Sequence, residues 1–136
     1  MPFCDVSEVV PKSLMAVIPD RYKTMRYHKL MAGETITIYD ITVVSFHAKK
    51  DGEPLNRKDG SPVLNQTIYL DIGNGVYTTV RNDKVLGQVA YLTGWVEDGI
   101  GEKYYKLENP ETVQVIEIPV KMGSKDYPVK AFKSIQ

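Results

Sequence analysis

Apolar and polar positions alternate with period two through most of the chain after Gly33, and that alternation predicts strands. Residues 35–46, TITIYDITVVSF, are almost wholly β-branched or aromatic and carry the strongest strand signal. Their phase slips midway. Ile36 and Ile38 share one face, then Ile41 and Val43 share the other, so this strand must carry a bulge or a sharp bend. Residues 66–72 alternate cleanly, with Ile68, Leu70 and Ile72 on one face and Thr67, Tyr69 and Asp71 on the other. Gly73-Asn74-Gly75 turns the chain, and residues 76–81 return with Val76, Thr78 and Val80 inward, which predicts a hairpin.

The other segments read differently. Residues 47–65 form a long polar connection with turn signals at Asp51-Gly52 and Asp59-Gly60. Beyond the hairpin the period changes: Val85, Leu86, Val89 and Leu92 recur at helical spacing behind a capping Asn82 or Asp83. This predicts a short helix over 84–92, closed by Gly94. Trp95-Val96 and residues 102–107 flank an acidic, Gly-rich turn, and after Asn109-Pro110 residues 112–120 form another strand. Trp95 is the sole tryptophan and reads as core. Pro2, Pro11 and Pro19 punctuate the first residues, with a short helix expected over 20–31. The tail is basic and ends in a last strand or an extended arm.

The expected division is an N-terminal arm over 1–33, a β body over 34–120 and a basic extension over 121–136. Strand, hairpin pair, short helix and two strands, in that order, predict a mainly β, OB-fold-like five-stranded barrel. A long bent first strand suits it, because one strand then serves both halves of a small closed sheet.

Composition narrows the class. The chain has 136 residues, 43% hydrophobic and 25% charged, which fits a globular domain and excludes intrinsic disorder as its main state. No apolar window is long enough to span a bilayer, and Asp5, Glu8, Pro11 and Lys12 interrupt any leader-like run, so the expectation is a cytoplasmic protein with no membrane contact. One cysteine, Cys4, and two histidines, His28 and His47, cannot build a Cys/His zinc site. Phosphate-binding, dinucleotide, zincin and nucleophile-elbow motifs are missing, so neither a cofactor nor an enzymatic activity is expected. Lys+Arg and Asp+Glu are 17 each, yet the charges segregate along the chain. Acids gather at Glu97, Asp98, Glu102, Glu108 and Glu111. Bases gather at 21–29, 47–50, 57–58 and 121–133, a distribution compatible with an anionic ligand.

The hairpin's second face then draws attention. With Ile68 and Leu70 inward, Tyr69, Tyr77 and Arg81 point away from the core. Aromatic rings beside a guanidinium suit single-stranded nucleic acid, since every base has a π-face to stack. A cross-strand aromatic pair that merely covers the sheet is the alternative. Lys103, Tyr104, Tyr105 and Lys106 repeat the pattern, and Tyr105, in phase with Lys103, is preferred over Tyr104 for ligand contact. Lys49, Lys50, Arg57 and Lys58 on the 47–65 loop either fold over a bound strand or stay solvated. Tyr22 and Tyr27, among Arg21, Lys23, Arg26 and Lys29, extend a nucleic-acid path or dock on a neighbouring subunit.

Over residues 34–120 the chain resembles OB-fold single-stranded DNA-binding proteins of the small kind encoded by phages and conjugative plasmids. The resemblance rests on TITIYDITVVSF, QTIYLDIGNGVYTTVRND, LGQVAYLTGWV and EKYYKLENP. It implies sequence-tolerant binding of single-stranded DNA, or of RNA, in replication or DNA transfer of a mobile element, with homo-oligomerisation; the N-terminal arm, which is not part of the family's minimal fold, is the expected contact for that. The chain departs from the family's bacterial housekeeping members at its end, VKAFKSIQ, which is basic and apolar where theirs is an acidic tip that recruits partners. The competing expectation is a non-catalytic β-barrel module for protein interaction, for example a phage structural or adaptor protein.

Overall fold

The β-branched run becomes the central strand of the computed structural model, which describes residues 18–135. In chain order the elements are a 3-10 turn at Asp20–Tyr22, β1 (Arg26–Tyr27), β2 (Thr35–His47), β3 (Lys49–Lys50), β4 (Glu53–Pro54), β5 (Leu64–Gly73), β6 (Val76–Val80), α1 (Asp83–Thr93), β7 (Gly101–Met122) and β8 (Lys125–Ser134). Six strands form one curled sheet in the order β1-β6-β5-β2-β7-β8, while β3 and β4 make a small hairpin of their own. The described residues are mainly β with one α-helix, as the pattern predicts. The main sheet has six strands among the described residues, not five.

β2 pairs with β5 along one edge and with β7 along the other. Against β7 the register jumps from Ile38↔Glu111 to Asp40↔Lys106, so Tyr39 alone stands opposite residues 107–110. This irregularity is the bend that the phase slip requires, and it puts Ile36, Ile38, Ile41 and Val43 into one core rather than on two faces. It also merges the two expected strands. The runs 102–107 and 112–120 are halves of the single strand β7, and Pro110 falls in the gap of its ladder with β2, where no amide donor is required.

The β5–β6 hairpin forms as its alternation predicts, turning at Asn74 and Gly75, both at positive φ (59° and 71°). Gly73, at φ 90°, lies under the Tyr39 ring, and a Cβ there would meet Cε2 at 2.8 Å. α1 starts where Asn82 Oδ1 accepts from the Val85 amide (2.9 Å) and stops at Gly94 in the left-handed conformation. Its buried side, Val85 and Val89, closes one end of the curl over Ile41, Leu70 and Trp95.

The structure also decides the segments that the sequence left least defined. The segment 20–31 is not a helix: after one 3-10 turn it straightens into β1, which adds to β6 in parallel. Of the two expectations for the tail the last strand is what forms: β8 pairs with residues 113–122 and buries Ala131 and Phe132. Near its C-terminal end it is tied to the helix by Gln88, whose side chain donates to Phe132 O (2.6 Å) and accepts from Phe132 N (3.1 Å). The 47–65 loop is organised, with β3–β4 and an Asn56↔Pro62 bridge stacked outward from the ends of β2 and β5. Expectations for residues 1–17, Cys4 and most of the arm among them, lie outside the described residues.

The curl brings the end of β6 near the middle of β8, and the two strands are not neighbours in the sheet. Asn82 Nδ2 bridges this seam to Lys130 O (2.9 Å). Residues 28–34 cross it too, from the β6 edge to β7, where Gly33 N donates to Val115 O and Val115 N to Glu34 O. Among the described residues no helix is long and apolar enough to cross a membrane.

Candidate nucleic-acid interface

Period-two alternation places Tyr69 and Tyr77 on the face opposite the Ile68–Leu70 core, as predicted, but that face is not open. The segment around Tyr22 lies across it. Tyr22, Val44, Tyr69 and Tyr77 form a second core, with Ile18 and Met25 packed against it. Tyr69 is 1% exposed and Tyr77 9%. Tyr22 stacks on Tyr69 (centroids 5.3 Å apart, planes at 21°), and Tyr69 in turn lies 6.2 Å from Tyr77. The expectation that Tyr69 and Tyr77 offer free rings to a base is therefore corrected: another part of the chain already occupies both.

This second core has a polar floor. Tyr22 Oη donates to Asp40 Oδ1 (2.9 Å), which leaves the Thr42 hydroxyl as donor to Tyr22 Oη (2.9 Å). Tyr104 Oη donates to Asp40 Oδ2 (3.2 Å). Burial pushes the Asp40 carboxyl above the usual carboxylate range, with Asp71, its cross-strand partner, adding to the push. Hydrogen bonds from the two phenols oppose that push. Burial also raises the Tyr22 phenol strongly, and pushes Tyr69 up to about 12. The Tyr69 hydroxyl is buried with no hydrogen-bond partner among the described residues.

β7 reverses the choice between its two tyrosines. Its register sets Tyr105 opposite Ile41, so Tyr105 packs on the inner core, whereas Tyr104 sits opposite Thr42 and is 41% exposed. Arg21 from the 3-10 turn stacks on Tyr104, its guanidinium carbon 3.4 Å from the ring centroid. Lys103 shares Tyr105's side and is engaged elsewhere, holding Asp98 (2.6 Å) and Val96 O (3.4 Å). It is tied to the acidic turn rather than presented to a ligand.

The remaining candidates reach solvent. Lys49 and Lys50 lie exposed on β3, and Arg57 and Lys58 on the turn beyond β4. Arg81, just past β6, is exposed with its guanidinium 5.3 Å over the Phe46 ring. Tyr27, at the end of β1, is 51% exposed and rests edge-on against Tyr77 at 5.5 Å. Beside it, Lys29, Arg81 and Lys130 line one cleft with Asn82.

Sequence reasoning missed Lys130 and the Arg21–Tyr104 pair, while Tyr27 and Lys29 were only flanking candidates. One signal was available: residues 21–30 hold Arg21, Lys23, Arg26 and Lys29 with no acid among them. Among the described residues no group of three His, Cys, Asp or Glu side chains could hold a metal ion. No family model, curated protein or solved structure matches the chain.

Proposed function

We propose that the protein binds single-stranded DNA with little regard to sequence, on an OB-fold-like barrel. The order of strand, hairpin, helix and long bent strand supports that architecture, with β8 as an added sixth strand. One observation carries the functional reading. The basic stretch 21–30 lies across the barrel wall with a half-exposed aromatic at each end, Tyr104 under Arg21 and Tyr27 beside Lys29. Planar groups on which bases stack, spaced among cations that meet phosphates, are what sequence-tolerant binding needs. Six of the 17 acidic residues lie at 97–117, apart in sequence from the basic stretch, so a neutral net charge is compatible with a locally basic surface there.

Fluorescence anisotropy of labelled oligothymidylate of about 30–60 nucleotides, against matched RNA and duplex DNA at several salt concentrations, tests the reading. Tight binding of the single strand that weakens as salt rises is the expected result. Tyr27→Ala and Tyr104→Ala should each weaken it roughly five- to 150-fold, the value of one stacked base. No binding to any nucleic acid at low salt would sink the proposal. That outcome would favour the second reading, a non-catalytic protein-interaction module. Its one supporting feature is Tyr91, 94% exposed on α1 beside a cleft floored by Ile38, Val113 and Phe132.

A further inference from the structure

The seam between β6 and β8 is bridged by the Asn82 side chain and the 28–34 crossover, and basic residues line the gap beside them. A cleft of about 260 Å3 opens there, and Lys29, Arg81 and Lys130 all line it. They come from three separate segments: the 28–34 crossover, the end of β6 and the middle of β8. No carboxylate lines the cleft. Lys29 and Lys130, from two sides of a small cleft whose lining holds no acid, repel one another, although Glu117 stands opposite Lys130 on the β7–β8 ladder; a bound anion would offset that repulsion.

We infer that this cleft seats a phosphate ester carrying a base, as one nucleotide of a bound strand. In assigning the ester to a strand, the inference rests on the function proposed above. Each wall has a part. Arg81 lines the cleft at the end of β6, while its guanidinium reaches away across β5 to lie 5.3 Å over Phe46, so it adds positive field rather than a direct grip. Lys29 and Lys130 act as point charges from the two sides of the seam. Tyr27 is packed edge-on against Tyr77, so its ring is held in place while half of its surface stays in solvent, a fixed platform for the base. The cleft suits one nucleotide, being smaller than the pockets that enclose drug-sized ligands. The strand then crosses the barrel at the seam between β6 and β8.

Two measurements separate the inference from the reading beneath it. In the first, oligothymidylate anisotropy across salt compares the wild type with Lys29→Gln/Lys130→Gln and with Lys125→Gln/Lys133→Gln. The last pair removes equal charge from positions outside the cleft. The cleft pair should weaken binding about tenfold or more and reduce the salt slope by roughly 1.4, the share of two single-strand phosphates. The control pair should do markedly less. In the second, amide NMR spectra are recorded with thymidine 5′-monophosphate, inorganic phosphate and thymidine. The monophosphate should move resonances at 27–30, 79–82 and 129–131, phosphate should move them less, and thymidine should leave them in place. If the oligonucleotide binds while both lysine pairs behave alike and those resonances stay still, the cleft inference is overturned and strand binding stands. If the monophosphate moves them but no strand binds, strand binding falls and the cleft remains as a site for a free nucleotide.

Discussion

Tyr22 and Tyr69 stack on each other in the same buried layer, yet their hydroxyls differ in kind. Tyr22 Oη joins Asp40 and Thr42, while Tyr69 Oη meets no partner among the described residues. Removing each oxygen should therefore have unequal effects. Tyr22→Phe takes a donor from a partly buried carboxylate and should cost about 1–3 kcal/mol in urea unfolding. Tyr69→Phe removes a hydroxyl that burial has already stripped of water, and should fall within about 0.5 kcal/mol of the wild type or above it. Equal losses would mean that the Tyr69 hydroxyl is as well satisfied as that of Tyr22. Asp40 adds a pH dependence. A carboxyl raised by burial holds its proton more tightly in the folded chain than in the unfolded one. Its contribution to stability is thus full below the unfolded value, about 3.9, and is lost as pH rises through the higher folded value. Over that window the wild type should lose stability relative to Asp40→Asn, and the opposite trend would show that Arg21 and the phenols hold the carboxylate charged.

At the scale of elements, α1 and the seam meet in one side chain. Asn82 caps the helix with its oxygen and bridges to Lys130 with its nitrogen. Asn82→Ala should cost about 1–2 kcal/mol, the usual value of a lost cap with the bridge added, whereas Asn82→Asp keeps the cap and forfeits only the bridge. Unfolding midpoints for the two variants, with amide exchange at residues 129–131, separate these contributions. The helix, the hairpin and β2 were legible in the sequence because their signals are local: helical spacing behind Asn82, clean alternation around Gly73-Asn74-Gly75, and a phase slip that only a bulge could absorb. The fate of the tyrosines was not. Alternation shows that Tyr69 and Tyr77 share a face, but Tyr22, 47 residues before Tyr69, decides whether that face sees water. The choice between Tyr104 and Tyr105 likewise hung on the β2–β7 register, which the jump at Tyr39 sets and nothing within EKYYKL reveals. Nor could spacing show that β8 would bring Lys130 to the end of β6.

For the whole molecule, burial is uneven. β2 and β5 are covered on both faces, by the inner core on one side and the tyrosine layer on the other, while β3, β4 and the turn beyond them stay exposed. Amide exchange should follow that pattern: slowest in the middle of β2 and β5, and fastest in residues 49–62 and around Gly123-Ser124. Comparable protection throughout would mean that the outer hairpin is braced by something beyond its own bridges.

The position of β2 also bears on how the chain is made. It is the first long strand to leave the ribosome, and its partners come much later: residues 64–71 on one edge, residues 101–114 on the other. At ordinary elongation rates about one to five seconds pass between completion of β2 and completion of its nearer partner. During that interval a run of isoleucine, valine and threonine has neither edge paired, the kind of segment most given to joining strands from other chains. Asp40, buried at 8% exposure in the finished barrel, lies in the middle of that run. In the nascent chain the same carboxylate is hydrated and ionised, and it interrupts an otherwise uncharged stretch until β5 arrives.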